Sequence, residues 1–567
     1  MRILFLTHAF NSLAQRLYVA LTAAGHAVAI EFDVNDSVSA EAVALHRPDL
    51  IVAPFLKRAI PESLWRNHRC IVIHPGIRGD RGPSSLDWAL MEEERDWGVT
   101  ALEANGEMDG GDVWASVGFP MRDATKSSLY RNEVTDAAVE AIRQVLERIA
   151  TPGFRPEPLD YARADVRGRL RPAVRQADRA IDWNADGTAK VLRHIRAADG
   201  MPGVLDEIAG IRCHLHGAHP EGRLSGAAGA VIARRGGAIC RATIDGAVWI
   251  THLKRAGPEP AVKLPAATVL GAALDGVAES PLAPDAAVDY PTWRPIRYEE
   301  RGSVGILHFP FYNGAMGTPD CAALREACVR AQARPTRVLV LAGGPDFWSN
   351  GIDLNRIEAA ADPAAESWDN INAMNDLVRA IIVNDRQLTV AALCGGAGAG
   401  GAFLALAADR VWARDGVILN PHYKTMGNLY GSEYWTYLLP RRVDEARARA
   451  VADNRLPLGA REALALGLID EIVGAPLAGF SAAIEAKART LAEAPDFGAE
   501  LAAKRAARAD DEAAKPLERY RDEELARMKQ NFFGFDSSYH VARYNFVFKR
   551  PRSRTPSHLA THRVRGG

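Results

Sequence analysis

Two stretches of the chain carry residue types spaced for proton transfer. The first is the apolar run Cys70-Ile-Val-Ile-His74, which ends in an imidazole. It is followed by a loop with glycines at 76, 79 and 82 and prolines at 75 and 83, and a helix is predicted to open at Ser84-Ser85. A histidine at the C-terminal end of a parallel strand sits where open α/β sheets place their ligands. About 35 positions later comes the turn-rich acidic stretch Glu107-Met-Asp109-Gly-Gly-Asp112. Histidine with a carboxylate can move a proton during acyl transfer, although a strand-end histidine also serves as a hydrogen-bonded structural residue. The loop His8–Arg16 follows the first apolar strand and should face the same cleft. Its Ser12, Gln15 and Arg16 are ligand-binding candidates, or else an N-cap and a solvated helix face. Arg131 is a candidate anion contact, or else a surface ion pair.

The second stretch is glycine-rich. Phe347-Trp-Ser-Asn-Gly-Ile-Asp-Leu354 is followed by a run from Cys394 to Asp409 with glycines at 395, 396, 398, 400 and 401. Glycine lets backbone N–H groups approach a ligand with no side chain in the way. If the run opens a helix, its first amides also carry the helix's positive end, which suits an oxyanion. The rival reading is a dinucleotide fingerprint, since Gly396, Gly398 and Gly401 match G-x-G-x-x-G and Asp415 follows.

These residues need a scaffold of several domains. At roughly 150 residues per domain, 567 residues suggest three or four. Arg2–Thr7, Val28–Phe32, Leu50–Ala53 and Cys70–His74 read as strands, and Ser12–Ala24 as an amphipathic helix, which is a parallel-sheet pattern. The Pro/Arg-rich 154–172 and Ala/Pro-rich 272–291 read as linkers. Between them, a helix at Thr188–Ala198 and short apolar runs suggest a small antiparallel barrel or sheet. From Tyr298 the strand pattern restarts, with strands at Val304–Phe309, Val338–Leu341, Leu388–Leu393 and Val411–Trp412, and Leu477–Lys529 reads as helical. The last stretch carries Lys549, Arg550, Arg552, Arg554, Arg563 and Arg565 without an acidic residue; it reads as a solvated tail or as a contact for a phosphate or partner.

Composition narrows the function classes. Hydrophobic residues are 48% and charged residues 25%, which suits globular domains with real cores. A net charge of -1 gives no global attraction to nucleic acid or an anionic membrane. Six cysteines without a CxxC pair exclude a disulfide scaffold and a zinc ribbon, and point to a reducing, cytoplasmic compartment. The apolar run Ile3–Leu6 is too short for a signal-peptide core. The uncharged stretch Leu388–Ala408 is too glycine-rich for a membrane helix and reads as strand, loop and helix.

The pattern His74-Pro-x5-Arg-Gly-Pro83, with the later Met108-Asp-x-Gly-Asp112, resembles the 10-formyltetrahydrofolate-dependent formyltransferases, and Ala180-Ile-Asp-Trp183 with Val191–Ala198 resembles their C-terminal barrel. This resemblance covers about residues 1–270 and implies that His74 and Asp109 assist formyl transfer. One position departs: the family's usual Asn two residues before the histidine is Val72 here, so either Ser84, Ser85 or a residue near the first loop replaces that donor, or the acceptor or the reaction has diverged. Residues 298–480 and the C-terminal helices resemble the crotonase (enoyl-CoA hydratase/isomerase) family. That implies oxyanion amides at Asn350 and Gly400, demotes the dinucleotide reading, and places 420–435 along the acyl pocket. Hydratases of that family add water with two glutamates, which would fall at Phe403 and at His422 or Tyr423; both are missing. The remaining acid/base candidates are Tyr423 and Glu433, with His422 assisting or merely capping.

The fused pair of halves resembles the HypX/HoxX family of hydrogenase maturation factors. The resemblance implies an α/β chain with a Rossmann-like formyltransferase domain at 1–165, a small OB-like β-barrel domain at 175–272, a crotonase-type β/α spiral at 296–480, and C-terminal helices with the basic tail at 481–567. It further implies synthesis of the carbon monoxide ligand of NiFe-hydrogenase from 10-formyltetrahydrofolate, by formyl transfer to coenzyme A and decarbonylation of formyl-CoA. No metal is implied. Hydrogenase maturation proteins or the large-subunit precursor are the expected protein partners. Three alternatives stay open: a formyltransferase for another acceptor, a non-catalytic CoA-binding scaffold, and a tRNA formyltransferase, which the neutral charge disfavours.

Overall fold

The computed structural model describes residues 1–564. Its first sheet contains β1 (Arg2–Thr7), β2 (Ala27–Phe32), β3 (Leu50–Phe55), β4 (Cys70–His74), β5 (Asp96–Glu103) and β6 (Val113–Pro120), in the order β2-β1-β3-β4-β5-β6. The first four strands are parallel, as their continuous apolar runs imply. The expectation of a parallel sheet stops there, because β5 and β6 are antiparallel. They form a hairpin around the 104–112 loop, and a hairpin needs no crossover helix. Helices Ser12–Ala23 and Thr135–Ala150 cover one face, with Leu13, Leu17, Ile142 and Val145 buried against Ile3, Phe5 and Val52.

The second unit is an antiparallel sheet of β7 (Val204–Ile208), β8 (Ile211–Glu221), β9 (Val231–Arg235), β10 (Ala238–Ala242), β11 (Ala247–Arg255) and β12 (Lys263–Pro265). The order is β7-β8-β11-β10-β9, with β12 on β11. Helix Thr188–Ala198 buries Val191 and Ile195 against it.

The third unit has ten strands: β13 (Arg297–Arg301), β14 (Val304–His308), β15 (Val338–Ala342), β16 (Phe347–Ser349), β17 (Leu388–Leu393), β18 (Gly396–Gly398), β19 (Arg410–Arg414), β20 (Ile418–Asn420), β21 (Leu458–Gly459) and β22 (Glu471–Val473). One sheet runs β13-β14-β15-β17-β19-β22 and the other β16-β18-β20-β21. Successive turns of the chain give one strand to each sheet: β15 then β16, β17 then β18, β19 then β20. The glycine run is therefore strand, short strand and helix Gly400–Leu406. No helix among the described residues is long and apolar enough to cross a membrane. The dinucleotide reading fails: Gly396 and Gly398 bound strand β18, and Gly401 packs on the Ser349 backbone, where a side chain would collide.

Helices Phe480–Glu493, Phe497–Ala514, Leu517–Phe533 and Ser538–Val547 follow, and Leu517, Met528, Phe532 and Tyr539 enter the core of the third unit. The solvated-tail reading holds for Lys549, Arg550, Arg552 and Arg554, which are exposed. Beyond them the chain returns to the first unit. Ile30 N–H donates to the Leu559 carbonyl at 3.0 Å, and Leu559 is buried in the first core. The buried Glu31 carboxylate meets Thr555, His562 and Arg563. Packing of Leu559 and neutralisation of Glu31 hold this segment down. Arg565 lies outside the described residues.

Candidate active sites

In the first unit, β4 ends by presenting His74, 4% exposed, to a ring of side chains from the loop that follows. His74 Nε2 lies 2.9 Å from Asp80 Oδ2 and 3.1 Å from Ser85 Oγ. Its Nδ1 lies 3.6 Å from Asp109 Oδ2, which also accepts from the Gly82 amide at 3.2 Å. Asp109 sits at φ 53°, a left-handed turn that brings its carboxylate to the imidazole. Gly76 is required here, because a Cβ would strike His74 and Asp80. Of the two serines, Ser85 joins this cluster; Ser84 Oγ instead accepts from the Val174 amide at 3.1 Å. Asp80 stands in the quoted loop but its type alone gave no sign of a role. Its Oδ1 is buried without a hydrogen-bond partner among the described residues.

In the third unit, Tyr423 Oη donates to Glu433 Oε2 at 2.5 Å, and both residues are buried. Burial pushes Glu433 up to about 7 and Tyr423 well above its ordinary 10, Tyr423 being raised further by the adjacent carboxylate. The Tyr423 ring stacks on Phe403, centroids 5.4 Å apart, so the position of a hydratase glutamate is an apolar wall. Glu433 lies against Gly400, where any Cβ would collide with its carboxylate. Gly400 opens helix Gly400–Leu406, whose first amides have no acceptor inside the helix. Asn350 differs from expectation: its N–H donates to the Gly314 carbonyl at 2.7 Å and its side chain to Asn313 O at 2.8 Å, so its amide is already engaged. His422 is buried with both ring nitrogens unpartnered among the described residues; burial lowers it to about 4, helped by His558 and Arg455.

Two residues that residue type could not flag support the pair. Asn375 Oδ1 accepts from the Glu433 amide at 2.8 Å. Glu524, on helix Leu517–Phe533, accepts from the Tyr434 and Thr436 amides, each at 2.9 Å. Both stand far from 423–433 in sequence, and nothing local marks them.

The remaining candidates lie where the units meet. Ser12 is not the N-cap; Asn11 is, accepting from the Ala14 amide at 3.0 Å. Gln15 Oε1 accepts from Asn420 Nδ2 of the third unit at 3.2 Å. Arg16 pairs with Asp136 at 3.1 Å and rests on Gly416. Arg131 spans the interface, 3.5 Å from Asp346 and 4.6 Å from the Phe347 ring centroid. A cleft of about 290 Å³ opens beside it, lined by residues of all three units, among them Arg131, Arg196, Asp199, His252, Tyr312 and Arg356. Lys263 approaches this wall through Tyr312 Oη at 3.2 Å, and burial lowers it to about 8.

The fold and sites together define a formyltransferase joined to a crotonase. Residues 6–146 match the formyl transferase family, 173–262 the formyl transferase C-terminal domain, and 322–551 enoyl-CoA hydratase/isomerase. The hydrogenase maturation factor HoxX of Bradyrhizobium diazoefficiens is 54% identical over 565 residues, 100% of this chain and 98% of that protein. HypX from Aquifex aeolicus, solved in complex with tetrahydrofolic acid, is 47% identical with a TM-score of 0.96, covering 99% of each chain. A methionyl-tRNA formyltransferase of Desulfotalea psychrophila is 27% identical over 179 residues, 31% of this chain and 54% of its own. The chain belongs to the HypX/HoxX family of hydrogenase maturation factors.

Proposed function

We propose that the protein makes carbon monoxide for NiFe-hydrogenase maturation, moving a formyl group from 10-formyltetrahydrofolate to coenzyme A and decarbonylating the formyl-CoA. Folate binding is supported by the tetrahydrofolic acid held by the Aquifex relative. Coenzyme A is supported by the enoyl-CoA hydratase/isomerase match.

At the first site, the thiol sulfur bonds to the formyl carbon as the bond to the folate nitrogen breaks. His74 takes the thiol proton and delivers it to that nitrogen, with Asp80 and Asp109 stabilising the imidazolium between them. At the second site, Glu433 takes the formyl hydrogen as a proton while the carbon–sulfur bond breaks. Tyr423 protonates the departing thiolate and is reprotonated by Glu433 along their 2.5 Å hydrogen bond. Tyrosine alone is too weak an acid for this, but as a relay it carries a proton from a carboxyl at about 7 to a thiolate of ordinary pKa roughly 8.5, downhill by about 2 kcal/mol. The Gly400 amide, at the start of its helix, would steady the carbonyl oxygen. Phe403 keeps water out, which suits a reaction that consumes none. A thiol that carries the formyl group from one site to the other also accounts for Gln15 and Arg131 standing where the units meet.

The observation that carries this reading is the buried Tyr423–Glu433 pair beside Phe403: one base, one acid and an apolar ring where a hydratase would carry a glutamate. The test is purified protein with 10-formyltetrahydrofolate, with and without coenzyme A, assaying carbon monoxide by haemoglobin absorbance. Gas should form in wild type only with coenzyme A and vanish in Tyr423→Phe and Glu433→Gln. Tetrahydrofolate release without gas would mean another formyl acceptor; hydrogenase maturation that survives both substitutions would mean a scaffold.

A further inference from the structure

We propose that Glu524 is a positioning residue for the Tyr423–Glu433 pair, clamping the turn 432–436 so that the Glu433 carboxylate is held between Tyr423 and Gly400. This rests on reading that pair as the decarbonylating groups.

The turn does not hold itself. Glu433 and Tyr434 sit consecutively at φ 61° and φ 60°, a left-handed conformation that side chains with a Cβ disfavour. Such a pair persists only where its surroundings over-determine it. Glu524 supplies that constraint from a helix outside the spiral. Its Oε2 accepts from the Tyr434 amide at 2.9 Å and Ser432 Oγ at 3.2 Å. Its Oε1 accepts from the Thr436 amide at 2.9 Å and Thr436 Oγ1 at 2.6 Å. All four donors belong to the turn, and the side chain is fully buried. Asn375 completes the hold, its Oδ1 accepting from the Glu433 amide at 2.8 Å and its Nδ2 donating to Ser432 Oγ at 2.9 Å.

A fold needing only stability has cheaper ways to fill this space, since a buried carboxylate is costly and an apolar side chain of like volume is not. What the carboxyl group adds is geometry, four hydrogen-bond contacts with one turn. The titratable groups around it are Glu433, Tyr423, Tyr430 and Tyr434, while Arg521 on its own helix is committed to Asp376 at 2.7 Å. Burial raises Glu524 to about 8, above Glu433, so its part is to hold position and not to supply charge.

The experiment uses the full chain with Glu524→Gln, Glu524→Ala and Glu433→Gln. Carbon monoxide release from formyl-CoA and tetrahydrofolate release from 10-formyltetrahydrofolate are measured separately. Glu524→Ala should lower kcat for carbon monoxide release by about 100-fold or more with KM little changed and tetrahydrofolate release intact. Glu524→Gln keeps acceptor oxygen at the turn and should stay within about tenfold of wild type. A wild-type kcat in Glu524→Ala overturns the proposal. So does a parallel fall of both reactions in both variants. Carbon monoxide release that survives Glu433→Gln instead overturns the reading of the pair.

Discussion

His74 has carboxylates on both ring nitrogens, Asp80 at 2.9 Å and Asp109 at 3.6 Å, and a hydroxyl from Ser85. Asp80→Asn keeps the shape but removes a charge that favours the imidazolium. It should slow tetrahydrofolate release about 10- to 1,000-fold while leaving decarbonylation of supplied formyl-CoA unchanged. Glu433 gives a second single-residue expectation. As the base it must be ionised, so kcat for carbon monoxide release should rise with pH through about 7. Stability runs the other way. A carboxyl raised from 4.5 to about 7 on folding contributes stability that is fully present below pH 4.5 and lost as pH rises through 7. Thermal melts of wild type and Glu433→Gln across this range should converge at the acid end, with the variant losing less toward neutrality.

At the scale of elements, the decisive piece is the junction of β18 with helix Gly400–Leu406. The segment's glycines serve separate ends: Gly395 and Gly401 let backbone pass close to backbone, and Gly400 leaves room for the Glu433 carboxylate. Gly400→Ala should therefore fold, since alanine is the better helix former, yet displace Glu433. Carbon monoxide release should fall about 100-fold or more with tetrahydrofolate release unaffected, because proton transfer tolerates little misplacement. The glycine spacing made the strand-loop-helix readable in the sequence. Which glycine faces the carboxylate was not, because the contact is with the loop beyond β20 and depends on how the two sheets stack.

The whole molecule is held as one body by contacts between its ends. Asp346 of the third unit accepts from Ser128 Oγ at 2.6 Å and Asn132 Nδ2 at 3.0 Å of the first. The returning tail buries Leu559 and surrounds Glu31. Burial raises the Glu31 pKa, but hydrogen bonds from His562, Thr555 and Arg563 outweigh it and hold the carboxyl below its ordinary 4.5. Tail docking is therefore fully stabilised above pH 4.5 and weakens as pH falls through the lowered value. Hydrogen exchange in 555–564, corrected for intrinsic rate, should show protection lost on acidification. Glu31→Gln should lose it at neutral pH, at a cost of roughly 1–3 kcal/mol, because Arg563 loses its counter-charge.

The sequence by itself determined the strands, the glycine junction, the histidine ending β4, the absence of a hydratase's two glutamates and the fusion of two enzyme types. These are readable because side-chain alternation, glycine density and short motifs are local properties. It also placed Tyr423 and Glu433 as a pair, ten positions apart in one loop. Only the tertiary structure decided which partners they have. Asn375 stands 58 positions before Glu433, Glu524 stands 92 after Ser432, and Gln15 meets Asn420 across 405 positions. No local pattern marks a buried carboxylate whose donors come from another element. The same holds for the Asn350 amide, which a motif assigns to a ligand and the fold assigns to Gly314. A backbone amide binds whichever acceptor the packed chain brings within reach, and that is settled by packing rather than by spacing.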